Sequence, residues 1–222
     1  MEKSRKDRLI ERYGMVNLTI VAICMICLFI NSIIVSETAL KQIASNKLVA
    51  YILNFLVGCE GTLGTIGSMS NVKVFSDGEW WRLLFHMYLH AGVLHMLFNA
   101  FALLFTGKVV EKKIGSLRYL LLYHVIAMIN AIIMSLIFPN SVSVGASAGI
   151  FGMIGIVCVM KWKKDVICME NLKTREFIYV IVFSVLSLVL GLESFVTHFV
   201  AFVFGMIVGL LLLKNLNFPY HK

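Results

Sequence analysis

The hydrophobic residues of this chain are gathered into long runs that are separated by polar stretches. Six runs are apolar almost throughout, at residues 15–35, 87–107, 117–138, 147–162, 177–192 and 196–213. A helix needs about 20 apolar residues to cross a bilayer, and each run has that length or is somewhat shorter. The pattern predicts an all-α, polytopic membrane protein with six transmembrane helices. We expect a polar segment at 1–14, a membrane domain at 15–214 and a short tail at 215–222.

Composition favours the same class. The 222 residues are 59% hydrophobic and 14% charged, whereas soluble domains contain about 25% charged residues. The net charge of +8 would suit nucleic acid, but the basic residues gather at the ends of the apolar runs. Because no basic stripe is interleaved with aromatic residues, we expect no nucleic-acid binding. The first run is longer than a signal-peptide core and no cleavage site follows it, so we expect it to be retained.

Basic residues alternate between the two sides of the predicted bundle. They occur at 1–14, 108–118, 161–175 and 214–222. The short loops 139–146 and 191–195 contain neither lysine nor arginine. The positive-inside rule therefore predicts that both termini are cytoplasmic and that 36–86 faces outside, with Leu48–Val57 as an amphipathic piece at the interface. The lack of organelle signals favours a bacterial plasma membrane.

Ser147 begins the fourth apolar run, between small residues. From Ser147 to Lys161 a helix rises about 21 Å, against a hydrocarbon thickness of about 30 Å. Ser147 is therefore expected about 9 Å below the outer surface, and the same count from Lys214 puts His198 about 6 Å below it. Non-helical backbone at that depth is tolerated only inside protein or beside a water-filled cavity. A buried cavity that opens outward is predicted.

Four polar side chains from three helices fall near this level, and such groups usually face the bundle interior. Ser147 and His198 can form a nucleophile and its base, although a helix cap and an interior hydrogen bond would explain them equally simply. His95 and Asn99 share one helix face. Both can donate to an oxyanion, as can the Ser147 N–H, or they can join neighbouring helices by a hydrogen bond.

Two other motifs point to different chemistry. His86, His90 and His95 suggest a metal site, but no HExxH and no intramembrane carboxylate accompany them, so we expect no metal or cofactor. The residues around Ser147 match G-x-S-x-G, the nucleophile elbow of α/β-hydrolases, which needs a preceding strand and a sheet. Residues 141–144 make a poor strand, so we expect no sheet and treat this match as coincidental.

Small residues line one face of the fourth run and one face of the sixth run. They are Ala148, Gly152 and Gly155 in the fourth run and Ala201, Gly205 and Gly209 in the sixth. Such faces let two helices approach closely, and if they meet they bring Ser147 to His198. Phe151 lies one turn below Ser147, where it either packs on the imidazole or fills the core.

Three residues that flank the second run could have structural roles. Trp81 and Arg82 precede it and are expected either to anchor at the lipid headgroups or to cross-link the preceding loop through Arg82. Glu111 follows the run among lysines. It is expected either to form a salt bridge at the helix end or to remain a solvated charge.

Together these residues resemble the rhomboid family of intramembrane serine proteases. The resemblance covers about residues 15–214 and is carried by Glu79-Trp80-Trp81-Arg82, His90-x4-His95-x3-Asn99, Gly107-x3-Glu111, Gly145-Ala146-Ser147 and His198-x6-Gly205. It implies a six-span bundle that cleaves transmembrane proteins near the outer face without a metal or cofactor. Its partners would be single-span membrane proteins, which enter beside the fifth span, and membrane lipids.

The resemblance also implies roles for individual residues. Ser147 would be the nucleophile and His198 its base, with no carboxylate beside His198. The oxyanion hole would consist of Asn99, His95 and the Ser147 N–H. The supporting residues would be His90, which helps to hold water, Phe151, which packs on His198, and the loop brace Trp81 and Arg82.

Two positions depart from the family pattern, because Ala148 and Ala201 replace glycines that are usual there. Both residues stay small, so we expect a slight widening between helices and no loss of activity. The main alternative function is an inactive rhomboid-like protein that binds or routes membrane clients. A transporter is a third class, but the sequence lacks paired broken helices in two matching halves.

Overall fold

The structure is a computed structural model that describes residues 4–34, 46–57, 67–188 and 191–215. These residues form ten α-helices: α1 Arg5–Tyr13, α2 Met15–Ile34, α3 Lys47–Val57, α4 Arg82–Phe85, α5 Val93–Ile114, α6 Ser116–Ile137, α7 Ser147–Trp162, α8 Val166–Asn171, α9 Thr174–Leu188 and α10 Leu192–Asn215. A π-helical turn at Val72–Ser76 and a 3₁₀ turn at His86–Tyr88 lie between α3 and α5. Residues 35–45 and 58–66 of the predicted outer segment, and 216–222 of the predicted tail, lie outside the described residues.

Within the described ranges, four helices are long and apolar enough to cross a membrane, namely α2, α5, α6 and α10. The prediction of an all-α, multi-pass membrane protein is therefore confirmed, whereas only four of the six predicted spans meet this length. The other two correspond to α7, with 16 residues, and α9, with 15. Because 16 residues rise about 24 Å, α7 is shorter than a bilayer core, which agrees with the depth predicted for Ser147.

The second predicted span is displaced along the sequence. The apolar run begins at residue 87, but α5 begins at Val93, because His86–Tyr88 form a separate 3₁₀ turn and Gly92 stands in extended backbone before the helix. The helix also continues six residues past Lys108. Lys108 does not mark its end: the ammonium is buried and forms an ion pair with Glu176 of α9, with 2.8 Å between Nζ and Oε2.

The helix that starts at Ser147, α7, is the centre of the bundle, and it packs against α5, α6 and α10. Its contact with α10 is so close that a Cβ on Gly205 would overlap the carbonyl oxygen of Gly152. One turn further along, a Cβ on Gly155 would overlap the carbonyl oxygen of Phe202. The predicted meeting of the two small-residue faces is therefore confirmed.

A short antiparallel strand pair corrects the expectation that the chain has no sheet. Strand β1, Met69–Ser70, pairs with β2, Val142–Ser143, with Met69 opposite Ser143. Irregular backbone beside a membrane bundle needs partners for its N–H and C=O groups, and this pairing supplies some of them. Each strand is two residues long, so the pair connects two loops and does not form the sheet of an α/β-hydrolase.

Glu111 has a different partner from the one that the sequence predicted. Its carboxylate accepts hydrogen bonds from the backbone N–H groups of Val16, at 3.1 Å, and Asn17, at 3.0 Å, and from Ser116 Oγ at 2.7 Å. The predicted salt bridge and the solvated charge are both wrong. Instead the buried carboxylate caps the first turn of α2, where free N–H groups and the helix dipole favour a negative charge.

Candidate active site

Ser147 and His198 are brought together by the crossing of α7 and α10. Gly145, with φ +116°, turns the chain so that α7 begins at Ser147; this backbone conformation is open to glycine but strained for other residues. His198 lies in the second turn of α10. Ser147 Oγ and His198 Nε2 are 3.0 Å apart, a hydrogen-bond distance between residues 51 positions apart in the sequence.

The pair lies in a cavity of about 330 Å³ at one end of the bundle. The cavity is lined by the four polar side chains that the sequence predicted to lie at one depth. They are His95, Asn99, Ser147 and His198. The remaining lining comes from Phe98 of α5, from Val144 and Ser194, and from the end of α9 at Phe183, Leu186 and Ser187. The pocket between α5 and α9 is therefore largely apolar, with polar side chains contributed by α5, α7, α9 and α10.

Two neighbours fix the orientation of the His198 imidazole, one stacked on the ring plane and one beside Nδ1, the nitrogen that does not contact Ser147. Phe151 stacks on the ring with centroids 4.2 Å apart and an interplanar angle of 10°. Ser194 Oγ lies 3.4 Å from His198 Nδ1 and donates to the backbone oxygen of Ser187 at 3.3 Å. A hydroxyl that donates to a carbonyl can still accept, so this arrangement suits a proton on Nδ1 and leaves Nε2 free to accept from Ser147.

Ser194 is a site residue that the sequence interpretation missed. The available signal was its position four residues before His198, which places both side chains on one face of α10. A serine in the first turn of a helix is usually explained as a cap, so the spacing alone does not distinguish the two uses.

His95 and Asn99 lie beside Ser147 as their spacing predicted. Asn99 Nδ2 donates to the backbone oxygen of His95 at 3.0 Å, and an amide nitrogen carries a second hydrogen that remains for another acceptor. The His95 ring packs against Gly145, where an added Cβ would lie 3.0 Å from Cε1. Both side chains can therefore present N–H groups to the space next to Ser147.

His90 is buried directly behind these donors. Its ring meets that of His95 edge to face with centroids 5.0 Å apart, and among the described residues its Nε2 has no hydrogen-bond partner. A small cavity of about 10 Å³ lies against His90 and Asn99, close to the space that one water molecule occupies.

No group of three or more His, Cys, Asp or Glu in the described part of the chain is arranged to hold a metal ion. His86, one of the three histidines that suggested a metal, directs Nδ1 toward the backbone oxygen of Arg82 at 2.9 Å.

Arg82 joins several parts of the loop that precedes α5. Its Nε donates to Glu79 at 2.6 Å and a terminal nitrogen donates to the backbone oxygen of Ser68 at 3.1 Å. The guanidinium lies 4.8 Å from the ring of Trp81, which in turn packs edge to face on Phe85. The headgroup-anchor interpretation does not fit Arg82, because this side chain is 3% exposed.

Ala148 and Ala201, the two departures from the family pattern, are both buried. Ser147 Oγ and His198 Nε2 lie 3.0 Å apart with alanine at both positions. Two residues after Ser147, a Cβ on Gly149 would overlap the ring of Tyr123 on α6.

Comparison with known proteins gives the family. A family model described as a rhomboid domain matches residues 77–215, more than half of the chain. The chain is 36% identical over 121 residues to Rhomboid protease GluP of Bacillus subtilis, covering 54% of this chain and 24% of GluP. It is 34% identical over 154 residues to RHOMBOID-like protein 4 of Arabidopsis thaliana, covering 68% and 39%. Rhomboid-like protease 1 of Toxoplasma gondii is 32% identical over 150 residues, covering 65% and 51%.

The matched region therefore spans about half or less of the length of these three relatives. It includes the strand β2, the start of α7 and all of α10, so it contains both members of the Ser147–His198 pair. This chain, a multi-pass membrane protein, belongs to the rhomboid family.

Proposed function

We propose that this protein is an intramembrane serine endopeptidase that hydrolyses peptide bonds in or near transmembrane segments by a Ser147–His198 dyad. The observation that carries the proposal is the 3.0 Å contact between Ser147 Oγ and His198 Nε2 inside the cavity. A serine hydroxyl is a weak nucleophile until a base accepts its proton, and a neutral imidazole nitrogen at this distance is such a base. The names of relatives such as Rhomboid protease GluP support proteolysis at the level of the family.

The proposed reaction has two stages. Ser147 Oγ attacks the carbonyl carbon of the scissile peptide bond while His198 Nε2 takes the hydroxyl proton. The resulting oxyanion accepts hydrogen bonds from His95, Asn99 and the Ser147 N–H. The C–N bond then breaks as His198 returns the proton to the leaving amine, and water, activated by His198, hydrolyses the acyl-serine to release the carboxylic acid.

The supporting residues have matching roles in this proposal. Phe151 keeps the imidazole plane fixed against α7, and His90 holds water in the small cavity behind the oxyanion donors. Trp81 and Arg82 brace the loop that precedes α5. Ala148 and Ala201 are accepted at the crossing of α7 and α10 because both side chains are small.

The topology that we propose counts α2, α5, α6, α7, α9 and α10 as six spans, with both termini in the cytoplasm. The substrates are single-span membrane proteins with small residues at the cut, and they approach between α5 and α9, whose side chains form the walls of the pocket. The bacterial plasma membrane stays a prediction, since the relatives come from a plant, a bacterium and Toxoplasma gondii.

The test is a cleavage assay in detergent with purified wild-type protein, Ser147→Ala and a single-span model substrate. We expect cleavage by the wild type and none by Ser147→Ala, because the variant lacks the nucleophile. Ser184→Ala is a matched control, since this serine lies on α9 and donates to the backbone of Val180. Substrate binding by all three proteins with no cleavage by any of them would favour the client-binding alternative and overturn the proposal.

Removing the hydroxyl of Ser194 tests how His198 is oriented. Ser194→Ala leaves Nδ1 of His198 without this partner, so more of the imidazole adopts the wrong tautomer or tilt. We expect kcat to fall about 3- to 10-fold with little change in KM, because substrate contacts persist. Thr197→Val removes a hydroxyl that bonds to the backbone oxygen of Glu193 and should leave kcat unchanged. A kcat for Ser194→Ala equal to that of Thr197→Val would exclude the positioning role.

A further inference from the structure

A second cavity, of about 320 Å³, lies between the same two helices at the opposite end of the bundle. Helix α9 runs from Arg175 at this cavity to Ser187 at the active-site pocket. Helix α5 likewise contributes Phe98 to the active-site pocket and Phe105 to the second cavity. We call this second space the basic-end cavity. It is separate from the pocket that contains Ser147 and has no part in the proposed reaction.

The charged groups around the basic-end cavity leave a net positive charge. Arg12, at the end of α1, and Arg175, in the first turn of α9, both line it and are exposed. Neither guanidinium has a carboxylate partner among the described residues. The carboxylate that lines the cavity, Glu176, is buried and already accepts from Lys108 Nζ at 2.8 Å and from the Lys173 N–H at 3.0 Å. Two arginine charges are therefore available to an anion.

The other wall is aromatic and apolar. Tyr179 packs edge to face on Phe101 and on Phe105, with ring centroids 6.0 and 5.4 Å apart. Phe101 is 46% exposed on a helix that crosses the membrane, so its ring faces the surroundings of the bundle. The cavity thus combines two guanidinium groups with an apolar surface, at the end of the bundle where the basic residues gather.

We propose that the basic-end cavity binds one anionic glycerophospholipid. Its phosphate lies between Arg12 and Arg175, because the guanidinium fork matches phosphate oxygens, and an acyl chain covers Phe101 and Leu104. Basic pockets between transmembrane helices are known to hold lipid headgroups. A soluble anion would match the two charges but would leave the aromatic wall uncovered, so the mixed lining favours a lipid.

The position of the site also gives a bound lipid a mechanical consequence. Tyr179, which lines the basic-end cavity, donates its hydroxyl to the backbone oxygen of Phe98 at 3.2 Å. Phe98 lines the active-site pocket. A lipid that contacts α1, α5 and α9 together therefore stabilises the contact between α5 and α9, and unfolding of the protein should shift to a higher temperature when the lipid is bound.

The test is native mass spectrometry of the full chain in detergent micelles doped with dioleoyl phosphatidylglycerol or dioleoyl phosphatidylcholine. We expect one phosphatidylglycerol to be retained at about 10-fold lower concentration than phosphatidylcholine. Arg12→Gln with Arg175→Gln should weaken phosphatidylglycerol about 25-fold, since each basic residue near anionic headgroups contributes about fivefold. The matched control, Arg118→Gln with Lys163→Gln, removes two exposed charges elsewhere at the same end and should stay within about twofold of wild type.

Three results would overturn the proposal. Equal retention of the two lipids by the wild type would remove the anionic selectivity. Equal weakening of phosphatidylglycerol binding in both double variants would mean that general surface charge, and not this cavity, retains the lipid. Displacement of the lipid by millimolar sn-glycerol 3-phosphate would assign the site to a soluble phosphate. Thermal unfolding in phosphatidylcholine micelles verifies that each variant is folded, and because no readout involves cleavage, the result is independent of the proposed protease activity.

Discussion

His198→Ala is expected to lower the rate of substrate cleavage by about 10⁴-fold or more, as is Ser147→Ala, and the double variant is expected to be no slower than either. The reason is that the hydroxyl and the imidazole act as one unit across a 3.0 Å contact. Once one is lost, the other has no proton to accept or no base to activate it. The measurement is kcat for a single-span substrate in detergent for the three variants and the wild type.

The control for this series must remove an imidazole that does not contact Ser147 or His198. His124→Ala is suitable, because the His124 ring on α6 contacts the backbone oxygen of Leu120, at 2.7 Å, and the hydroxyl of Tyr88, not Ser147 or His198. Its kcat should remain within about threefold of wild type, a change that corresponds to about 0.7 kcal/mol. Rate losses that multiply in the Ser147→Ala/His198→Ala protein would mean that the two residues act independently, which a dyad does not allow.

Gly205→Val is expected to produce the largest loss of stability. Its Cβ would overlap the carbonyl oxygen of Gly152, and the obstacle is helix backbone, which cannot rotate away as a side chain can. The α7–α10 crossing must open, so we expect destabilisation of about 3 kcal/mol or more together with loss of cleavage, since His198 moves away from Ser147. Thermal unfolding in detergent measures the first effect and the cleavage assay the second.

A smaller enlargement on the outer side of the same helix controls for substitution in α10 away from its contact with α7. Val203 is 37% exposed on α10, and Val203→Leu adds one carbon atom there. Its unfolding temperature should stay close to that of the wild type. If Gly205→Val were as stable as Val203→Leu, the close approach of α7 and α10 would not be a feature of the folded protein.

Much of the site followed from helix geometry alone. A fixed rise per residue and a fixed bilayer thickness put Ser147 and His198 at one depth, and the structure places both on the wall of one cavity. The small residues of α7 and α10 predicted a close approach of the two helices, and Gly152 and Gly205 do meet. The meeting of the two small-residue faces could be predicted because it depends on the spacing along each helix.

The errors came from residues whose partners are distant in sequence. Glu111 stands among lysines, but the free N–H groups of Val16 and Asn17, about 95 positions away, are its partners. The second apolar run ends just before Lys108, but Glu176 pairs with this lysine inside the bundle. Nothing local distinguishes a buried ion pair from an interfacial lysine, since only the packing of α5 on α9 supplies the second charge.

Covalent labelling of the purified protein with a fluorophosphonate probe, followed by intact mass and peptide mapping, tests the dyad most directly. We predict one adduct, on Ser147, with the displaced fluoride leaving as the Ser147 proton passes to His198, and no adduct in Ser147→Ala or His198→Ala. Cysteines provide an internal check: burial raises the pKa of the Cys168 thiol to about 11, so it stays protonated and unreactive at neutral pH. Labelling of a cysteine or of a different serine, or undiminished labelling of Ser147 in His198→Ala, would contradict a serine that this imidazole activates.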